Sequence, residues 1–259
     1  MQSVLEKAYQ NYHVQFKRDR DPIGLVHSYR SKKDQEVVAF ISALLAYGNV
    51  QTIRQSLHSV LLVLGKSPYQ RILEQSHWPE LKGFRHRFTS GNQLNALLYA
   101  LHEILNEQGG LETYFITQPG STLKDRLSAF VKSISAKSEQ APERLGAADQ
   151  RSFRYLLSDP ERGSACKRLN LFLRWVVRKR DGIDLGLWSA LNPKELILPV
   201  DTHILKTLQK LRWTRSKTAT WQVAIEATEK LKRFDPLDPI RYDFSLCHLS
   251  MEGKSLENL

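Results

Sequence analysis

Apolar residues recur along the chain with the three-to-four-residue spacing of helices that face a core. From Val37 onward, apolar side chains follow the i, i+3, i+4, i+7, i+8 pattern of one helix face. The same spacing predicts further helices over 52–64, 94–105, 122–134, 150–157, 165–178, 202–211, 218–231 and 239–251. Proline and glycine residues interrupt the segment 77–92, which is predicted to be an irregular connector. No segment alternates as a half-buried strand would, so the pattern predicts an all-α fold.

The helix predicted over 165–178 has the clearest two-sided pattern. Its apolar stripe consists of Leu169, Phe172, Leu173, Val176 and Val177. At about 100° per residue, the opposite face carries Lys167, Asn170, Arg174 and Arg178. We expect the stripe to face the core and the polar face to lie on the surface.

The positive charge is concentrated in two short segments. The chain of 259 residues has 38 basic and 27 acidic residues, a net charge of +11. The segment 151–180 holds nine basic and two acidic residues, and 206–217 holds five basic residues and no acid, so the remainder is near neutral. Two local patches are typical of a protein that binds a phosphate backbone. Ordinary solvated helix faces are the alternative explanation.

Composition excludes several classes of protein. With 41% hydrophobic residues the chain can bury a core, which excludes a disordered chain. Two cysteines are too few for a disulfide framework or an all-cysteine cluster, and they indicate a reducing compartment. The longest apolar run, 37–48, is shorter than the ~20 residues of a membrane span, and the N-terminus carries no apolar signal segment. The cysteine count and the lack of a span or signal segment together predict a cytoplasmic protein. Neither a glycine-rich phosphate loop nor a zinc-binding spacing is present, so no metal site is predicted.

The turn Arg162-Gly163-Ser164 opens directly onto the helix that carries Lys167. The first backbone N–H groups of a helix lack partners and can bind a phosphate. A lysine in this position can act as a nucleophile that forms a Schiff base with a sugar aldehyde. A surface lysine that touches phosphate is the simpler interpretation, and both remain open.

A second candidate residue, Asp201, lies between an apolar segment and the helix predicted over 202–211. An aspartate in that position is a natural N-cap. A carboxylate held at a helix start near a basic surface can also stabilise an oxocarbenium ion or activate water. Local chemistry does not separate the two roles.

The turn and helix with Lys167, followed by Leu198-Pro199-Val200-Asp201-Thr202-His203, resemble the helix-hairpin-helix superfamily of DNA glycosylases, which includes endonuclease III. The resemblance implies that Asp201 is catalytic and that Lys167 attacks the sugar, as in bifunctional members. The separation of 34 residues between them is closer to the archaeal 8-oxoguanine glycosylases. The hairpin has a single glycine, and the iron–sulfur cysteines of endonuclease III are absent. The chain also resembles a bacterial family named only by a domain of unknown function.

The resemblance implies a two-lobed helical fold with a cleft between the lobes. Residues 31–180 would form a central lobe with the hairpin-like turn, and 1–30 with 181–259 would form the second. It also implies further site residues. Asp243 and Cys247 would contact a flipped base; the alternative is exposure at the helix margin for Asp243 and core packing for Cys247. Asn49 or Gln51 would read the base or fill the gap in the duplex, with helix capping by Gly48 and Asn49 as the alternative. Phosphate contacts are expected from Arg162, Gly163, Ser164, Arg168, Arg174, His203, Lys206 and Lys210.

Together with the basic segments, the resemblance implies a DNA glycosylase with AP lyase activity that excises an oxidised purine such as 8-oxoguanine in base excision repair. The expected partner is double-stranded DNA with a damaged base, and the expected state is a nucleoid-associated monomer. No organic cofactor or iron–sulfur cluster is expected, and a monovalent ion at the hairpin is left open. The alternatives are a non-catalytic DNA-binding protein on the same scaffold and a monofunctional glycosylase for another lesion, such as an alkylated purine.

Overall fold

The computed structural model describes residues 1–142 and 145–256. Helices account for 61% of the residues and strands for 2%, which confirms the predicted all-α fold. The helices are α1 (Gln2–Tyr12), α2 (Gln15–Arg18), α3 (Ile23–Val26), α4 (Lys32–Leu45), α5 (Val50–Leu64), α6 (Pro68–Glu74), α7 (Gly91–Gln108), α8 (Leu111–Ile116), α9 (Leu123–Ser138), α10 (Ala147–Leu156), α11 (Lys167–Val177), α12 (Thr202–Lys210), α13 (Trp221–Leu231) and α14 (Asp243–Met251). Within the described ranges, no helix is both long and apolar enough to cross a bilayer.

The chain divides into two compact units. The first, here the terminal unit, is Met1–Arg20 with the described part of the chain from Arg162 onward; the second, the central unit, is Asp21–Glu161. The boundaries expected from the sequence were at 30/31 and 180/181. The hairpin-like turn and α11 therefore lie in the terminal unit, with α12 and α14, rather than in the central one.

In the central unit, α4 is the innermost helix. Every residue from Asp34 to Leu45 is buried, and the ring of Phe40 meets that of Phe130 on α9 at 6.0 Å. The buried carboxylate of Glu36 accepts hydrogen bonds from the first amides of α8, those of Leu111 and Glu112, each at 3.0 Å. An acid inside α4 thus stabilises the start of another helix.

A small β-hairpin interrupts the connector between α6 and α7, where the sequence predicted no strand. Strands β1 (Arg85–His86) and β2 (Thr89–Ser90) pair antiparallel across a two-residue loop. Two-residue strands are too short to show an alternating pattern, which explains why the sequence analysis missed them.

In the terminal unit, α11 occupies the centre. All residues from Arg168 to Val177 are buried, so the predicted polar face is buried as well as the apolar stripe. The backbone of the 185–188 segment hydrogen-bonds to the carbonyls of Trp175 and Val176 near the end of α11. Helix α14 packs on α1 and α12. Helix α1 has no counterpart among the helices predicted from the sequence.

Candidate active site

Lys167 is the first residue of α11, and a tight turn delivers it there. Gly163 has φ +79°, and its carbonyl accepts a hydrogen bond from the amide of Trp221 at 3.0 Å. The amide of Cys166 donates to Ser164 Oγ at 3.1 Å, and Cys166 itself has φ +47°. The turn that the sequence singled out therefore uses two left-handed residues, one of which is not glycine.

Asp201 is the N-cap of α12, as predicted. Its Oδ1 accepts hydrogen bonds from the amides of His203 and Ile204, both at 2.9 Å. Its other oxygen, Oδ2, lies 3.9 Å from Lys167 Nζ, and both side chains are partly exposed. The structure thus brings together two residues that are 34 positions apart in sequence. One carboxylate oxygen of Asp201 caps α12, and the other faces the amine of Lys167.

Asp243, the first residue of α14, lies behind this pair. It is buried, and Arg174 Nη1 donates to its Oδ2 at 2.5 Å. Burial, with a smaller contribution from the charge of Asp201, outweighs the opposing effects of Arg174 and Lys167 and raises the pKa of Asp243 to about 6. Lys167, Asp201 and Asp243 therefore form one electrostatic cluster, and its buried member has a raised pKa.

A buried ion network extends away from Asp243. Arg174 Nε also donates to Asp184 at 3.1 Å, and Asp184 in turn pairs with Arg178. Arg178 continues to Asp238 at 2.8 Å and to Asp181 at 3.3 Å. Asp181 meets His13 Nε2 at 2.9 Å, which ties the N-terminal segment to the network.

This network corrects the predicted role of Arg174. Its side chain is 3% exposed and two carboxylates occupy its guanidinium, so it does not contact a phosphate from the position it holds. Burial alone would lower the pKa of Arg174, but Asp184 and Asp243 raise it and keep the group charged. Arg168 was also predicted to contact a phosphate, but the residue is only 8% exposed, so little of it is available for that contact.

The other predicted phosphate contacts are accessible to differing degrees. Arg162, Gly163, Lys206 and Lys210 are exposed, and Ser164 and His203 are half-buried. The amide of His203 is engaged by Asp201, and its carbonyl accepts from Ser250 Oγ at 3.2 Å. These residues all lie in the terminal unit with Lys167.

The predicted base-pocket residues are divided between the two units. Cys247 lies one turn after Asp243 on α14; it is half-buried, and its Sγ lies 4.0 Å from Met251 Sδ. Asn49 and Gln51 are in the central unit. Asn49 is the N-cap of α5, and its Oδ1 accepts from the amide of Gln51 at 2.8 Å, while the side chain of Gln51 is exposed.

Sequence reasoning missed the acids that neutralise α11, above all Asp184 and Asp238. One signal was available, because residues 169–177 include only two polar side chains, Asn170 and Arg174. A helix that is apolar nearly all round is a buried helix. An arginine within such a helix needs buried acidic partners.

No group of three or more histidine, cysteine, aspartate or glutamate side chains within 1–142 and 145–256 is arranged to hold a metal ion. A family model described as a protein of unknown function, DUF2400, matches residues 21–252. The chain belongs to this family. The DUF2400 match includes Lys167, Asp201 and Asp243 and leaves out the segment with His13. No curated protein and no solved structure matches the chain.

Proposed function

We propose that this DUF2400 protein is a DNA glycosylase with AP lyase activity that excises an oxidised purine, such as 8-oxoguanine, from double-stranded DNA. The observation that carries the proposal is the distance of 3.9 Å between Lys167 Nζ and Asp201 Oδ2. An amine beside a carboxylate, both reachable from solvent, is the arrangement that covalent attack on a sugar carbon requires.

The reaction begins with a nucleotide flipped out of the duplex, because the glycosidic bond is not accessible within the stack. Asp201 Oδ2 takes a proton from the Lys167 ammonium, which frees the lone pair on Nζ. The amine forms a bond to C1′ as the bond between C1′ and the base breaks. The base leaves with the electron pair and takes up a proton.

Strand cleavage follows from the same adduct. Opening of the sugar ring gives a Schiff base between Nζ and C1′, which acidifies the C2′ hydrogen. Loss of that proton expels the 3′-phosphate, and water then hydrolyses the imine and releases Lys167. Asp201 returns to its carboxylate form when it passes the proton from Lys167 to the leaving base, and the carboxylate then stabilises the positive charge of the sugar adduct.

The surrounding charges support this assignment. Arg162, Lys206 and Lys210 are exposed in the same unit as the pair and can hold the DNA backbone. Asp243, with a pKa of about 6, can accept a proton behind the pair. No organic cofactor is needed for any step.

The test is borohydride trapping with duplexes that each carry one lesion, including 8-oxoguanine, an alkylated purine and an abasic site. We expect a covalent adduct with wild-type protein and none with Lys167→Gln. Asp201→Asn should retain the N-cap, since asparagine caps as well as aspartate, yet slow base release by about 10²-fold or more. Lys194→Gln, at an exposed lysine of the terminal unit with no assigned DNA contact, is the matched control and should still form the adduct.

Each alternative gives a different result. Base release without trapping in the wild type would show a monofunctional enzyme, with Asp201 activating water. If no lesion is released or trapped while undamaged DNA still binds, the protein is a non-catalytic DNA-binding protein and the proposal fails.

A further inference from the structure

The β-hairpin of the central unit presents an aromatic side chain to solvent at its tip. Its two loop residues are Arg87 and Phe88. Arg87 has φ +52°, in the left-handed region that side chains other than glycine seldom adopt. The side chain of Phe88 is 58% exposed.

The base of this hairpin is held in place. Tyr47 Oη donates to the carbonyl of His86 at 2.9 Å, and the ring of His86 bonds to the carbonyl of Tyr47 and to Ser56 Oγ. Arg87 lies across Gly48, where an added Cβ would come within 2.8 Å of Arg87 Cδ. The exposed ring of Phe88 therefore lies on a turn that these hydrogen bonds and the contact with Gly48 fix in place.

The ring of Phe88 belongs to a small group of aromatic side chains. Its ring meets that of Tyr155 on α10 edge to face at 5.8 Å, and Tyr155 meets Tyr47 at 5.7 Å. The side chain of Tyr155 is itself 49% exposed. Two neighbouring aromatic rings thus reach solvent from the hairpin and from α10.

The charges around these rings are positive. The segment 82–90 carries the exposed cations Lys82, Arg85 and Arg87 and no acid, and α10 adds exposed Arg151 and Arg154. The single acid of α10, Asp149, accepts a hydrogen bond from Ser90 Oγ at the base of the hairpin. An apolar protein partner would be matched by apolar neighbours, whereas these rings are bordered by guanidinium and ammonium groups.

We propose that this hairpin surface, formed by Arg85, Arg87, Phe88, Arg151 and Tyr155, binds a nucleic-acid strand by stacking an unpaired base on Phe88. Every base has a π-face that an aromatic ring can stack on, and the arginines match the flanking phosphates. The proposal takes its class of partner from the proposed function, but it concerns a different unit from Lys167 and Asp201.

The test measures binding of the full chain to undamaged, fluorescein-labelled oligonucleotides by anisotropy, with a single strand and a fully paired duplex compared. Phe88→Ala should weaken binding of the single strand about tenfold, since stacked rings contribute that order of affinity. Phe88→Trp should retain it. Phe16→Ala is the matched control, because Phe16 is 59% exposed with Arg20 4.0 Å above its ring, and it should leave binding unchanged.

Salt dependence separates the two kinds of contact. Phe88→Ala should not alter the slope of affinity against salt concentration, whereas Arg85→Gln should reduce it by about one. Unchanged single-strand binding in Phe88→Ala, or an equal loss for the paired duplex, would overturn the proposal. So would a change in oligomeric state without a change in DNA binding, which would identify a protein interface.

The two proposals fail separately. The oligonucleotides carry no lesion, so a protein that neither releases a base nor is trapped can still bind through Phe88. Conversely, loss of the stacking effect leaves Lys167-dependent trapping untouched.

Discussion

Helices α11 and α12 look alike in the sequence and differ in the structure. A candidate catalytic residue lies at the start of each, Lys167 as the first residue of α11 and Asp201 as the N-cap of α12, and each helix carries cations at helical spacing. Yet α11 is buried from Arg168 onward, with Arg168 and Arg174 inside, whereas α12 presents Lys206 and Lys210 to solvent.

The difference lies in what packs around each helix. Acids from the loop after α11 and from α14 reach Arg174, so its charge is neutralised internally. No ion pair involves Lys206, Lys210 or Lys217 within the described residues, which leaves the 206–217 segment as an uncompensated positive surface. A tally of charges along the chain therefore measures surface potential only where the helix lies at the surface.

Replacing the buried arginine should have the largest effect. Arg174→Met leaves Asp184 and Asp243 buried without their shared partner, and we expect it to lower the free energy of unfolding by about 3–5 kcal/mol. Lys210→Met on α12 should change it by less than about 0.5 kcal/mol. Urea denaturation measures both, and equal effects would show that the two helices do not differ as described.

The second prediction concerns pH. Burial holds the pKa of Asp243 near 6 in the folded protein, above its ordinary value, so the folded state binds this proton more tightly than the unfolded chain. Its contribution to stability is therefore complete below about pH 4 and is lost as the pH rises through about 6. The free energy of unfolding of wild type relative to Asp243→Asn should fall by about 2–3 kcal/mol between pH 4 and 7. The same scan with Lys210→Met, on the exposed helix, should give a constant difference, and a flat profile for Asp243→Asn would contradict the buried cluster.

The smallest effect is expected in DNA binding. Lys206→Gln and Lys210→Gln should each reduce the slope of log affinity against log salt by about 0.9, since each releases one counterion fewer. Arg168→Gln should leave the slope unchanged because Arg168 is a buried residue. Anisotropy titrations at several salt concentrations measure these slopes. A reduced slope for Arg168→Gln would show that α11 is part of the DNA-binding surface.

Much of the fold could be predicted because helical spacing is a local property. Apolar residues three and four apart predicted α4, α5, α7 and the helices from α9 to α14. The N-cap role of Asp201 also followed from its place before an apolar helix. The hairpin at 85–90 could not be predicted, because it depends on hydrogen bonds from residues distant in sequence rather than on its own four strand residues. His86 of the hairpin bonds to Tyr47, between α4 and α5, and to Ser56 in α5.

The features of the candidate site also separate into those set by local sequence and those set by tertiary structure. The chain by itself determined the all-α class and the positions of Lys167 and Asp201 at helix starts, since capping and periodicity act over a few residues. Only the tertiary structure brought their side chains to 3.9 Å, enclosed Arg174 between two acids, and set Asp243 behind the pair. Burial and charge pairing depend on residues distant in sequence, so no local pattern reports them.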